Sequence, residues 1–290
     1  MRKLITILAG TLIPTWIIAQ EPIRLLMRAD DMGITHDINM AIIKSHKEGL
    51  ITSASIMPTS NFFDEAIKLC KANPTLVTGV HITLSASKLR TVLPPDEVPH
   101  LVTPAGFLHE TAEEMMKESP SEAEMEKEIR AQIEKVSATG LRFTYIDWHR
   151  GATETIKKII LKICDEQKLI YGQESKGEVY GYHRIEIMPE TWPHQFLPDG
   201  QRVYYAAPAF NEQEQRMFYD NLRKLGPGNW ITAMHPGLND PQRTSVTGLI
   251  CSPEAKEIIK EKNIRVISYK DIWNETYGKG RKKQAGINNN

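Results

Sequence analysis

The chain of 290 residues carries 36 Lys or Arg and 36 Asp or Glu, so its formal net charge at neutral pH is zero. That balance gives no electrostatic reason to expect a nucleic acid or an anionic membrane surface as partner. With 25% charged residues, 41% apolar residues and three cysteines, the composition is that of a globular domain, and the odd cysteine count excludes a complete disulfide framework.

The chain opens on a processing signal. Arg2 and Lys3 precede an apolar stretch from Leu4 to Ala19, and the polar run Gln20-Glu21-Pro22 follows. A basic start, an apolar middle and a small residue before polar sequence predict a secretory signal peptide over residues 1–19. The expected product is exported, periplasmic or secreted, with no stable membrane insertion after cleavage. A retained anchor is the alternative. No later segment approaches the ~20 apolar residues of a membrane helix.

Beyond the signal, apolar runs of β type alternate with helical periodicity. Strands are expected over Ile23–Ala29, Ser53–Met57, Val77–Leu84, Phe143–His149, Trp230–His235 and Ile264–Ser268. Helices are expected from about Asp37 to Glu48 and from about Phe62 to Ala72. Cys70 and Cys164 sit near the ends of amphipathic stretches and read as buried helix residues. The pattern predicts an α/β fold of βα units around a mainly parallel sheet or barrel, one domain over residues 20–277. Ser85–His109, with Pro94, Pro95, Pro99 and Pro104, reads as a long loop, and Tyr171–Pro208 as a second irregular region. The charged run Glu122, Glu124, Glu126, Lys127, Glu128 and Arg130 reads as a solvated face of a helix over about Ser121–Ser137. Residues 278–290 form a polar, basic tail expected to be disordered.

Polar residues interrupt four strand ends. The first apolar strand runs into Asp30-Asp31-Met32-Gly33, and the third contains His81. A later strand ends Asp147-Trp148-His149, and another ends His235-Pro236-Gly237. Each residue has an ordinary use, Asp as a helix cap and a strand His as a satisfied core group. Together they deliver acids and imidazoles to the rim where βα folds place their sites. One carboxylate and two imidazoles leave open coordination positions for a catalytic metal, which polarises a carbonyl and acidifies a bound water. A second carboxylate serves as general base and a further His as general acid, an assembly suited to amide hydrolysis. No G-x-S-x-G elbow, H-E-x-x-H helix or phosphate-binding Gly-rich loop is present. Trp192, Tyr204, Tyr205 and Phe210 offer faces for sugar stacking, although plain packing accounts for them equally.

At these residues the chain resembles the YdjC-type, chitooligosaccharide deacetylase-like carbohydrate deacetylases. The A-D-D-x-G motif is matched by Ala29-Asp30-Asp31-Met32-Gly33, followed by Asn39, Gly49 and the T-S-x-S element Thr52-Ser53-Ala54-Ser55. Gly79-Val80-His81-Ile82-Thr83-Leu84, Asp147-Trp148-His149, His235-Pro236-Gly237 and Arg265-Val266-Ile267-Ser268-Tyr269 match later motifs in the family's order. The resemblance implies a distorted (β/α) barrel like that of polysaccharide deacetylases, with long loop insertions. It also implies a divalent cation held by Asp31, His81 and His149, with Asp30 as general base and His235 as general acid. Two imidazole ligands favour Zn or another transition metal, with Mg and Mn as alternatives. The implied substrate is an N-acetylated sugar or oligosaccharide. A homo-oligomer is compatible with the sequence, which does not decide it. Where many relatives read T-H-x-D-x-H-x-H, this chain has Tyr145 and Gly151 at the outer positions. Fold and metal site do not separate this reading from an esterase or amidase on another acylated substrate, which is a second expectation. The departure at Gly151 encourages a third, a non-catalytic periplasmic glycan-binding protein.

Overall fold

A computed structural model describes residues 21–172, 180–187, 194–196, 202–204, 212–239 and 243–278, the side chains of 194–196, 202–204 and 213–214 excepted. The signal segment at 1–19, the tail at 279–290 and the aromatics Trp192, Tyr205 and Phe210 lie outside this set, as does the side chain of Tyr204. Among the described residues no helix is long and apolar enough to cross a membrane.

The first half of the chain alternates strictly. Strand β1 (Ile23–Met32) is followed by α1 (His36–Glu48), β2 (Ser53–Ile56), α2 (Phe63–Ala72) and β3 (Val77–Ile82). After the Pro-rich loop come α3 (Ala112–Lys117), α4 (Glu122–Ala138), β4 (Tyr145–Trp148), α5 (Glu154–Gln167) and β5 (Ile170–Tyr171). The irregular region contributes β6 (His183–Arg184) and the antiparallel pair β7 (His194–Phe196) and β8 (Arg202–Tyr204). The chain then runs through α6 (Glu212–Lys224), β9 (Gly228–Met234), α7 (Thr244–Cys251), α8 (Pro253–Glu261), β10 (Arg265–Ile267) and α9 (Tyr269–Tyr277).

Among the described residues the main sheet has the order β5-β4-β3-β2-β1-β9-β6, with every pairing parallel. β10 joins off this path. It pairs with Arg24–Leu26 on the same edge of β1 that β2 takes from Arg28 onward. Thr52 Oγ1 donates to Ile267 O at 2.6 Å where those two strands meet end to end. The result is a curled parallel half-barrel with helices packed on it, the distorted (β/α) barrel that the family resemblance implies. Central strands buried on both sides need continuous apolar sequence, and Leu25, Leu26, Met27 and Ala29 are fully buried. Helix α5 starts on its Thr153 cap and buries Ile156, Ile159, Ile160 and Ile163. Each such side chain contributes about 1.5–3 kcal/mol.

Three expectations are corrected. The first strand does not stop at Ala29 but continues through both aspartates to Met32. Neither Asp caps α1, because Thr35 does, its side chain accepting from Ile38 N. The charged run of α4 is not wholly solvated, since Glu128 is fully buried. Its carboxylate accepts from Val92 N at 2.8 Å and Leu93 N at 3.0 Å, which pins the Pro-rich loop to the helix. Next to it, Gln132 accepts from Thr83 N and donates to Thr83 O, two residues beyond His81. Burial raises the Glu128 carboxyl above its ordinary range, although the two backbone N–H groups resist that rise. Cys70 and Cys164 are buried in α2 and α5, as the amphipathic spacing predicts.

Candidate active site

The site is built on β1. Side chains at i and i+2 of a strand share a face, so Arg28 and Asp30 point the same way. Arg28 Nε donates to Asp30 Oδ1 at 2.6 Å and Nη2 to Asp30 Oδ2 at 3.0 Å, a bidentate pair with both side chains nearly inaccessible to solvent. Nε also lies 3.0 Å from Asp147 Oδ2. Nη1 donates to Gly172 O at 2.5 Å and to the Tyr269 hydroxyl at 3.0 Å. The Tyr269 ring stacks on Tyr145 at 3.8 Å, and Tyr145 meets the Ser55 hydroxyl, which donates to Asp147 Oδ2 at 2.6 Å. The T-S-x-S and R-V-I-S-Y motifs therefore back the arginine that holds Asp30. Register pairs His81 with Asp147, and His81 Nδ1 bonds Asp147 Oδ1 at 2.8 Å.

Strict alternation would turn Asp31 away from Asp30. The β1–β2 register shifts between Ala29 and Met32, and Asp31 takes a left-handed φ of 69°. That bulge costs about 1–3 kcal/mol of backbone strain and brings adjacent carboxylates to one place. Asp31 Oδ1 lies 2.9 Å from His149 Nδ1 and 3.4 Å from His81 Nε2, while Oδ2 accepts from Arg243 Nη2 at 2.7 Å. The turn after it needs Gly33, whose φ is 111° and where a Cβ would meet Ser60 Oγ at 2.3 Å. Gly33 N donates to Asn39 Oδ1 at 2.7 Å, which accounts for Asn39 in the motif run.

The residues present fit a divalent cation. His81 Nε2 is buried and has no hydrogen-bond partner among the described residues, and its 3.4 Å to Asp31 Oδ1 is long for a hydrogen bond. Ligand atoms at about 2.1 Å from a common ion stand roughly 3.0–3.5 Å apart, the spacing seen around Asp31 Oδ1. One ligand atom from each of Asp31, His81 and His149 can be chosen so that all lie within 4.8 Å of one another. Asp30, His81 and Asp147 form a second such group, but Arg28 already lies against both of its carboxylates. The Asp147 bond to Nδ1 leaves Nε2 of His81 as the nitrogen for a ligand, the carboxylate–histidine arrangement common at metal sites.

The electrostatics hold both aspartates ionised and leave one imidazole, His81, to give up a proton when a cation binds. Burial opposes ionisation of Asp30, but Arg28, then His81 and His235, outweigh it and hold the carboxyl below its ordinary value. Burial likewise opposes ionisation of Asp31, and Arg243 with His149 and His81 holds it well below. Burial would lower His81, yet Asp147, Asp31 and Asp30 push it up to about 10. Burial pulls His149 below its ordinary value, favouring the neutral imidazole that a metal ligand must be. Among the described residues three carboxylates face two guanidinium groups and the His81 imidazolium, so the cluster is balanced as it stands, and a cation at Nε2 would take the place of that imidazole's proton.

All five residues singled out from the sequence come to this rim. β9 pairs with β1 so that Met234 opposes Ala29, which sets His235 beside Asp30. Three contributors went unassigned: Arg28, Asp147 and Arg243. The first had a signal, a charge inside an apolar strand two residues before an Asp. At Gly151, φ is 64° and a Cβ would meet Ala112 Cβ at 2.6 Å, so the start of α3 lies against this position.

Fold and site together define a parallel-sheet (β/α) protein that gathers carboxylates and imidazoles at the C-terminal rim of its strands. A family model described as "YdjC-like protein" matches residues 24–261, and the chain belongs to that family. An Enterococcus faecalis protein named carbohydrate deacetylase is 35% identical over 265 residues, covering 86% of this chain and 98% of its own. A Brevibacillus brevis protein of the same name is 26% identical over 259 residues, covering 86% of this chain and 99% of its own. The crystal structure of an Enterococcus faecalis V583 protein proposed to cleave cellobiose phosphate matches in fold. Its TM-score is 0.69 at 24% identity, over 87% of this chain and 99% of that one.

Proposed function

We propose that this protein is a carbohydrate deacetylase, a metal-dependent hydrolase that removes N-acetyl groups from an amino sugar or oligosaccharide and releases acetate. The observation that carries the reading is His81, fixed by Asp147 on one nitrogen and presenting the other, buried and without a hydrogen bond, beside Asp31. The deacetylase names of the relatives supply the substrate class.

Asp31, His81 and His149 would hold a divalent cation, Zn or Mg, which supplies Lewis acidity toward the acetyl carbonyl and an acidified water. Asp30, kept ionised by Arg28, takes the proton of the attacking water. Arg28 also keeps the Asp30 carboxylate from turning, since both its oxygens are engaged. His235, beside Asp30 just past the end of β9, protonates the departing amine nitrogen. Export through the signal at residues 1–19 would direct this activity to periplasmic or secreted glycans.

Acetate release from N-acetylglucosamine oligomers, with metal-loaded and chelated protein in parallel, tests the reading. Release that stops on chelation and returns with metal is the expected outcome. Release indifferent to chelation would remove the metal from the mechanism, and release from O-acetylated glycans alone would make the protein an esterase.

A further inference from the structure

Helix α7 starts at the mouth of the site and touches both halves of it. Arg243, at the cap before Thr244, donates through Nη2 to Asp31 Oδ2 at 2.7 Å, with 12% of its side chain exposed. One turn on, the buried Thr247 hydroxyl accepts from Gly237 N at 3.0 Å and donates to Gly237 O at 2.8 Å. That glycine closes the turn His235-Pro236-Gly237. Positions four apart on a helix lie on one face, so a single helix end grips the metal-ligand side and the acid side together. α7 packs in turn on α1, whose Asn39 holds the Gly33 turn behind Asp31.

A carboxylate with both oxygens free rotates between one-oxygen and two-oxygen ligation. With Oδ2 engaged by Arg243, only Oδ1 of Asp31 faces His81 and His149. The guanidinium also carries a charge that opposes a nearby cation. Charge alone would make its removal tighten metal binding, whereas support of the ligand would make its removal weaken binding. Outer-shell supports of metal ligands contribute about 10–100-fold in affinity, so the support dominates.

We propose that Arg243 and Thr247 are positioning residues and that α7 is a brace. Arg243 holds Asp31 to one-oxygen ligation, and Thr247 holds the turn that presents His235. This inference rests on the metal reading given under the proposed function.

Calorimetric titration of Zn2+ into metal-stripped, full-length protein is the experiment, with acetate release measured on the same preparations and thermal melts confirming the fold. The expected result for R243Q is a Zn2+ dissociation constant raised about 10-fold. R243K keeps the charge without the planar fork and recovers part of the loss. T247V keeps the wild-type Zn2+ affinity, while its kcat falls at unchanged KM and the basic limb of its pH profile moves. Unchanged or tighter Zn2+ binding by R243Q would overturn the role of Arg243; should that variant not fold, R243K at wild-type affinity would overturn it equally. A T247V protein with wild-type kcat and pH profile, or with Zn2+ binding as weak as R243Q, would overturn the role of Thr247. A wild-type protein that binds neither Zn2+ nor Mg2+ overturns the metal reading itself, and the brace with it, before any variant is made.

Discussion

Two layers of buried polar groups meet at the rim of the sheet, and they are finished differently. In the inner layer Arg28, Asp30, Asp147, Ser55 and Tyr269 answer one another in a closed network, with both Asp30 oxygens engaged. In the outer layer Asp31, His81 and His149 converge, but one buried imidazole nitrogen has no hydrogen bond. A protein that spends backbone strain at Asp31 to assemble the outer layer has reason to leave it incomplete. The closed layer fixes the geometry, and the open one is where the proposed cation would bind.

The sharpest way to break this comparison is to disable one member of each layer. D30N is expected to bind Zn2+ as the wild type does while turnover falls about 10²–10⁴-fold, the usual contribution of a positioned base. H149A is expected to lose metal affinity and, with it, activity. Calorimetry beside acetate release separates them; equal loss of metal in both variants would mean that the layers do not divide the work. The next largest effect concerns stability. R28M leaves Asp30 and Asp147 buried without their cation, and the expected cost is about 3–5 kcal/mol in urea denaturation. A loss under about 1 kcal/mol would show that the inner network is not what sets this geometry.

The sequence showed the strands, and the acids and imidazoles at their ends, because parallel strands need unbroken apolar runs and each interruption stands out. It did not show the bulge. Nothing in Asp30-Asp31 says that the second aspartate adopts a left-handed backbone, so the convergence of neighbouring carboxylates was hidden. Asp147 falls in a motif but its role is not legible there, because its bond to His81 depends on the register of two strands far apart in sequence. Arg28 was legible in principle, since period two puts it with Asp30. Arg243 was not, being one arginine in a polar segment whose target lies 212 residues away. Glu128 shows the opposite hazard, a buried anchor concealed among residues that really are solvated.

The smallest expected effect sharpens that last point. E128Q keeps the shape but offers one acceptor where two backbone N–H groups need partners, and it should cost about 1–2 kcal/mol. Burial raises the Glu128 carboxyl in the fold, so the native state holds this proton more firmly than the unfolded chain does. Its contribution is therefore complete below the unfolded value near ~4.3 and is lost as pH rises through the folded value. The stability difference between wild type and E128Q should then be greatest in acid and shrink toward neutrality. Urea midpoints measured from pH 4 to 7 read it, and a gap that widens with pH would reverse the sign.

The seating of β10 has a consequence for how the molecule comes into being. β1, near the start of the chain, is flanked by β9 on one edge and by β10 below β2 on the other, and both flanking strands arrive only after residue 227. Contacts at such separations form late, after most loop-closure entropy has been lost. A ribosome-bound fragment ending before β9 would hold Asp30 and Asp31 on a strand with one flank bare. Strand β1 is made first and flanked last, so the rim it carries is finished only once β9 and β10 have joined it.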